Sequence, residues 1–577
     1  MIMNPDINLL TKKGVLESGL FSDTVPLRPP EMVCRMDRMG AAFPTRLSFM
    51  RLLLRRMKEE MWKIQRVRFD LDASGYGRAV YEVHTPDRQY SLAAFANPLA
   101  DHQRTDRVIA SAWDAAFVLF DGKPTERDLE RLGDNAPHQE AGRFEATDLV
   151  ISRANRSMRL FEYVCSCLAE GDQPDADKLL EVGYLMRTTA VYGNGKFGIS
   201  DRSRINWREE AKNSFQIEML TVYLIRLFTV DQLDHIAECR APGKAVRLKP
   251  ELKRALGIGN ATGLGMAPFV VSHPELFHEW FNARETALAR VRALESVSQA
   301  SIDRAAALGR RALGHLEQWH SGDLEYQSRN QRLGEDVKTL LNWLSNSSSS
   351  DRCERFWDDL VRRSETEFGI DAQELLVALL IETYPECVED LEKSFHSCET
   401  RQINVAMTVG KFREQFDEQY AWVDQYDFSR DAENAHFWYV SENKLEPRFG
   451  RRREEPGADK EMPVAIARDM SALKTNLEAF DQSVSLAEFL ITHPEFRHLV
   501  RRAQSLSDLP YGEIQDNLIA EGTSPLDILR FKLANFGAAK FDPKSALWTR
   551  ITMFQGAPLP EELDGDLTDD WWLPTLP

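Results

Sequence analysis

The chain has 577 residues, with 72 Lys+Arg against 90 Asp+Glu, a formal net charge of -18 and seven Cys. The acidic balance argues against broad binding to nucleic acid or an anionic membrane, which needs a basic surface. Apolar content of 43% and charged content of 28% are those of a globular protein, and the length suggests about three or four domains at ~150 residues each.

Residues 1–20 lack a continuous apolar run and a small-residue cleavage site, so no secretory signal is read there. No stretch approaches the ~18 uncharged apolar residues of a spanning helix. The cysteines are odd in number and unpaired in spacing; Cys165 and Cys167 would point apart on a helix. A soluble cytoplasmic protein with reduced thiols is expected.

Residues 1–44 read as irregular, with Pro26, Pro29 and Pro30 breaking any helix. A helix over 45–63 follows, with Leu47, Met50, Leu54, Met57 and Met61 at helical spacing. Its other face carries Arg46, Arg51, Arg55, Arg56 and Lys58, for intramolecular ion pairs or for docking a partner. From Ile64 the period drops to two: Val67, Phe69 and Leu71, then 79–83, 90–95 and 112–120, separated by turn residues such as Asp72 to Gly77. That predicts a four-stranded antiparallel meander, which needs a cover. The 45–63 helix is the natural one.

Beyond residue 150 helices are predicted near 155–169, 176–187, 208–238, 274–296, 300–320, 324–344, 352–366, 372–395, 405–424, 463–480, 493–506 and 523–536. The fold class is therefore α+β and predominantly α-helical: a helix-covered N-terminal meander, then a large helical-bundle body. The expected divisions are 1–150, a helical domain over 151–344, the Ser-rich linker 345–351, and a second helical domain over 352–577 with an acidic tail. Residues 266–278 echo 486–498 in Ala, Phe, His, Pro, Glu and His, which would mark a duplicated helical unit.

The histidine pairs 273/278, 315/320 and 493/498 are five apart, about 140° around a helix, so none presents two ligands on one face. Ser272-His-Pro-Glu275 and Thr492-His-Pro-Glu495 fit capping boxes at helix starts. Glu275-x-x-His278 and Glu495-x-x-His498 also match the di-iron pattern of helical bundles, without two further identifiable Glu ligands.

Three segments carry anion-binding chemistry. Tyr192-Gly-Asn-Gly-Lys-Phe-Gly198 contains G-x-G-x-x-G, but the stretch upstream reads as helical where a dinucleotide site needs a strand. Its glycines let backbone N–H groups converge beside Asn194, Lys196, Arg202 and Arg208. Gly257 to Gly265 holds four glycines and Thr262, more than a turn needs, with Gly263 and Gly265 suited to close approach of a ligand. Arg448 and Arg451 follow the aromatic run His436-Phe-Trp-Tyr439, pairing planar donors with a flat wall. Residues 536–550 look like a strand or extended arm. Trp571-Trp572 either folds back or docks a partner.

The leading expectation is a metal-independent enzyme acting on a small anionic metabolite by acid/base or lysine chemistry, with no cofactor. Lys196, Tyr192 or Asp201 would move the proton; Asn194, Arg202, Arg208, Thr262, Gly263, Gly265, Arg448 and Arg451 would hold the anion. The alternatives are a helical scaffold using the basic helix face and the Trp pair, or a di-iron bundle.

Overall fold

The computed structural model describes residues 25–103, 112–137, 144–193, 215–260, 274–346, 355–392, 402–425, 436–441, 447–451, 458–463, 466–506, 508–513, 525–538, 540–545, 548–563 and 569–575. The expected meander is β1 (Lys63–Leu71), β2 (Gly77–His84), β3 (Gln89–Ala96) and β4 (Ala115–Asp121), paired antiparallel in chain order. It grows into a nine-stranded sheet. β5 (Asp148–Arg156) and β6 (Tyr184–Gly193) continue it, followed by β7 (Gly257–Asn260) and, from the far end of the chain, β12 (Trp548–Met553) and β11 (Lys540–Ser545). A separate three-stranded sheet holds β8 (His436–Ser441) between β10 (Ala458–Pro463) and β9 (Pro447–Arg451).

Two helix expectations are corrected here. β5 and β6 replace the start of the 155–169 helix and the end of the 176–187 helix. Residues 148–155 of β5 are buried on both faces, with Asp148, Ser152, Arg153 and Asn155 among them, so the strand shows no apolar-in, polar-out alternation. The edges of the large sheet are protected by composition: β1 exposes Lys63, Gln65 and Arg66, and β11 carries Pro543, a residue confined to edge strands.

The helices that position the site are α1 (Phe49–Glu59), α2 (Glu126–Asn135), α3 (Gln216–Arg240), α4 (Pro274–Arg292), α5 (Gln299–Gln318), α6 (Leu324–Asn346), α7 (Ile370–Thr383) and α8 (Pro525–Phe536). One sheet face, with Tyr81, Leu92, Phe117, Met186 and Ile258, shares the main core with α3, and Phe117 meets Phe228 edge-on at 5.4 Å. The other face packs Phe95, Val118 and Phe120 against Leu129 and Leu132 of α2. The helix lying along the sheet is thus α3, not the 45–63 helix; α1 packs on α3 and α8 instead. α3 is apolar around its whole circumference and fits between two layers, whereas α1 has an arginine-bearing side.

That arginine side is internal. Arg51 is fully buried and pairs with Glu382 and with Asp569, 3.1 Å away. Arg55 pairs with Asp569 at 2.6 Å and Glu392 at 2.8 Å. α7 supplies the counter-charges from an otherwise apolar helix: Glu382, Glu374 against Arg28, Arg38 and Arg284, and Asp371 against Arg329 and Arg530. Trp571 and Trp572 are buried as well, with Trp571 stacked on Phe554. Arg51, Arg55 and the Trp pair are therefore taken up inside the chain, while Lys58 on the same basic side is exposed.

One hydrophobic core spans both sides of residues 345–351, from Val337 and Leu344 to Trp357 and Leu376. In the second half of the echo, Ser485 caps the helix Leu486–Thr492 through Glu488 N, and Thr492 is its last residue, donating to Glu488 O at 3.2 Å. The expected capping box at Thr492 is corrected accordingly. Ser485-x-x-Glu488 is the competing start signal, and it wins because Leu486 and Phe489 then face the core. The first half resumes with Pro274 as the first residue of α4, and duplication is not established.

Candidate functional site

Among the described strands, β6 and β7 pair parallel, with Tyr184 opposite Gly257, Arg187 opposite Gly259 and Thr188 opposite Asn260. A parallel neighbour requires a crossover connection, and α3 provides it. Both strands therefore run toward the same side of the sheet; β7 ends at Asn260, opposite Thr188, and β6 continues five residues further to Gly193. The segments 194–198 (NGKFG) and 261–265 (ATGLG) follow directly on those ends in sequence. The stretch upstream of G-x-G-x-x-G is thus a strand and not the helix expected. Residues 194–214, which follow the strand, lie outside the described residues, and the next described helix is α3 from Gln216.

Gly257 to Asn260 is a buried strand, which corrects its reading as part of a turn. Two of its glycines have a packing reason. A Cβ on Gly257 would stand 2.2 Å from the Met553 carbonyl, and one on Gly259 would stand 2.6 Å from the Tyr184 ring. The glycines let β7 fit between β6 and β12.

Buried polar side chains mark this region. Arg187 is 3% exposed, Thr188 0% and Asn260 3%. Asn260 Nδ2 donates to Thr188 Oγ1 at 3.3 Å, tying the two parallel strands together through side chains. Thr188 Oγ1 lies 3.4 Å from the Gly259 carbonyl, to which it donates. Across β5, Asn155 stands opposite Arg187 and is itself fixed, accepting from Asp114 N at 2.8 Å and donating to Ala112 O at 3.1 Å. Arg187 brings a buried guanidinium to this part of the sheet, a group suited to bidentate recognition of a carboxylate or phosphate. Next to this region in sequence, Phe215 caps α3 with φ +61°, a strained conformation for an aromatic residue. Its ring is locked against Phe49 at 5.2 Å and Phe536 at 4.8 Å.

The third predicted segment is a strand, β9, lying against β12, which in turn neighbours β7. Arg448 stands opposite Tyr439 and Arg451 opposite His436 in the β8–β9 ladder, so the aromatic run and the arginine segment are direct antiparallel neighbours. Tyr192 belongs to β6, opposite Ile151. Asn194, Lys196, Asp201, Arg202, Arg208, Thr262, Gly263 and Gly265 lie outside the described residues. Arg187, Thr188 and Asn260 were not singled out from the sequence. The signal available was Arg187-Thr-Thr189 within an apolar run, which a helix assignment over 176–187 conceals.

The histidines have structural partners. His278 Nδ1 accepts from Tyr511 N at 3.1 Å, its ring stacked on Tyr511 at 5.8 Å, and His493 Nδ1 lies 3.3 Å from Glu495. Among the described residues no group of three or more His, Cys, Asp and Glu is placed to hold a metal, and no helix is long and apolar enough to cross a membrane. The Glu279 carboxyl is raised: burial, and then Glu275, push it up to about 7.

No family model matches this chain, and no curated protein or solved structure matches it either.

Proposed function

We propose that this protein is an enzyme acting on a small anionic metabolite without a metal, by acid/base or lysine chemistry, at the sheet edge where β6 and β7 end. The observation that carries this reading is the parallel pairing of those strands. Two glycine-rich segments, one of them bearing Lys196, follow in sequence on the ends of these strands, which also carry the buried Arg187 and the Thr188–Asn260 pair. In mixed sheets, ligands favour the crevice outside the carboxyl ends of parallel strands. Arg187 and Arg202 would orient the anion, with Arg448 and Arg451 of β9 closing from the β12 side. Lys196, Tyr192 or Asp201 would move the proton. The net charge of -18 favours a discrete anion pocket over a polyanion-binding surface, and a cytoplasmic setting belongs to the same reading.

The test is a thermal-shift screen of the full chain against phosphate and small mono- and dicarboxylates. At least one anion should raise Tm, and Lys196→Ala should remove that rise while leaving the unliganded Tm unchanged. An unchanged shift in both Lys196→Ala and Arg448→Ala would place the anion elsewhere and end the proposal.

A further inference from the structure

A second, chemically different cavity lies in the helical body. It has a volume of about 60 Å³, is partly open, and lies among residues 42–44, α5, α6, α7, α8, β11 and the C-terminal segment around Trp572. Its walls are mostly aromatic: Trp319 meets Tyr326 at 5.3 Å and Tyr326 meets Phe541 at 5.7 Å.

The polar groups on these walls have a definite sense. Trp319 Nε1 and Trp572 Nε1 are both buried donors with no acceptor among the described residues, and Trp572 is only 2% exposed. A buried N–H without an acceptor is costly, so two on residues lining one cavity ask for a ligand atom or ordered water. His315 supplies the opposite function. Its Nδ1 lies 2.8 Å from the Pro574 carbonyl, which can only accept, so the proton sits on Nδ1 and Nε2 is left as an acceptor. Burial pushes the His315 imidazolium down to about 4, which keeps the ring neutral at ordinary pH. The one guanidinium on the wall, Arg530, is engaged by Asp371 at 2.7 Å, with Asp527 at 3.7 Å. Its charge is balanced by these carboxylates, while Arg530 Nη1 is a further buried donor without a hydrogen-bond partner.

We propose that this cavity binds a small, flat, uncharged ligand through its hydrogen-bond acceptor, an amide group or the leading edge of an amide-bearing ring. The two indole N–H groups would donate to the ligand oxygen, and His315 Nε2 would accept from its N–H. The site is independent of the anion site proposed above, which lies beside β6 and β7.

Benzamide, benzoate and toluene separate the contributions, titrated against the full chain by ligand-observed NMR. Benzamide should saturate, with benzoate and toluene at least about tenfold weaker. Trp572→Phe and Trp319→Phe, which keep the ring and remove the donor, should each weaken benzamide about five- to tenfold without changing toluene. Ala534→Leu, which adds volume on the wall, should abolish binding of all three probes; if it fails to fold, the two Trp→Phe variants carry the test by themselves. Equal binding of benzoate, or benzamide affinity unmoved in both Trp→Phe variants, overturns the assignment. No saturable binding of benzamide overturns it too, leaving a cavity filled by ordered water only.

Discussion

Glu374 is the most instructive residue to perturb. Its side chain is fully buried on α7, where Oε1 takes Arg28 Nη1 at 2.7 Å and Arg38 Nη1 at 2.6 Å, and Oε2 takes Arg284. Glu285 completes the cluster, accepting from Arg28 at 2.7 Å and Arg284 at 3.0 Å. Three guanidiniums thus share two carboxylates, joining the segment around residues 28–38 to α4 and α7. Glu374→Gln keeps the shape but leaves three buried cations with one anion. Breaking a buried pair in this way costs about 3–5 kcal/mol. Unfolding entropy of roughly 2.1 cal/mol/K per residue makes that a fall in Tm of about 3–4 °C if the chain melts as one unit. Calorimetry and far-ultraviolet circular dichroism would read it. Adding Arg284→Met to the variant should recover about half, because the uncompensated cation is removed. The pH dependence has a fixed sign. Burial alone would push the Glu374 carboxyl up, but Arg28, Arg284 and Arg38 hold it well below the usual range. The wild-type advantage is therefore fully present above about pH 4.3, the value of an unperturbed Glu, and shrinks as the pH falls below it. A Glu374→Gln protein melting within 1 °C of wild type at pH 7 would refute the reasoning.

Asp569→Asn should release the C-terminal segment, because Arg51 and Arg55 lose a shared partner. Red-shifted tryptophan emission and faster carboxypeptidase digestion would report the exposure of Trp571 and Trp572. Glu279 should behave oppositely to Glu374. Its carboxyl is raised to about 7, so stability falls as pH rises from about 4.3 through 7, and Glu279→Gln should gain on the order of 1–3 kcal/mol at pH 8 and nothing near pH 4, read from denaturation midpoints at the two pH values. Gly259→Val should destabilise by about 3 kcal/mol or more, since its Cβ would stand 2.6 Å from the Tyr184 ring. Gly322→Ala, with nothing within 4 Å of the added Cβ, should stay within about 0.5 kcal/mol of wild type and serves as the control.

The sequence by itself determined the elements whose periodicity is local. β1 alternates and the apolar runs of β2–β4 are bounded by turn residues, and helices such as α5 and α6 carry apolar stripes at i, i+3 and i+4, so both were legible. The stretch 536–550 was legible as a strand or extended arm, and the structure makes most of it the β11–β12 hairpin. Tertiary structure alone decided what those elements meet. β5 and β7 are buried on both faces and lose any alternation. β7 reads as a glycine-rich turn until β6 and β12 are seen closing on it. The basic side of α1 reads as a solvated or docking face, because the acids that neutralise it lie more than 300 residues away on α7 and in the tail, as in the Arg51–Glu382 pair with its sequence separation of 331. Of the site, the glycine and arginine segments were visible as composition, but Arg187, Thr188 and Asn260 were not. Parallel pairing is a long-range property: nothing within either strand records that its neighbour runs the same way, and only the packed sheet brings those polar side chains to one edge.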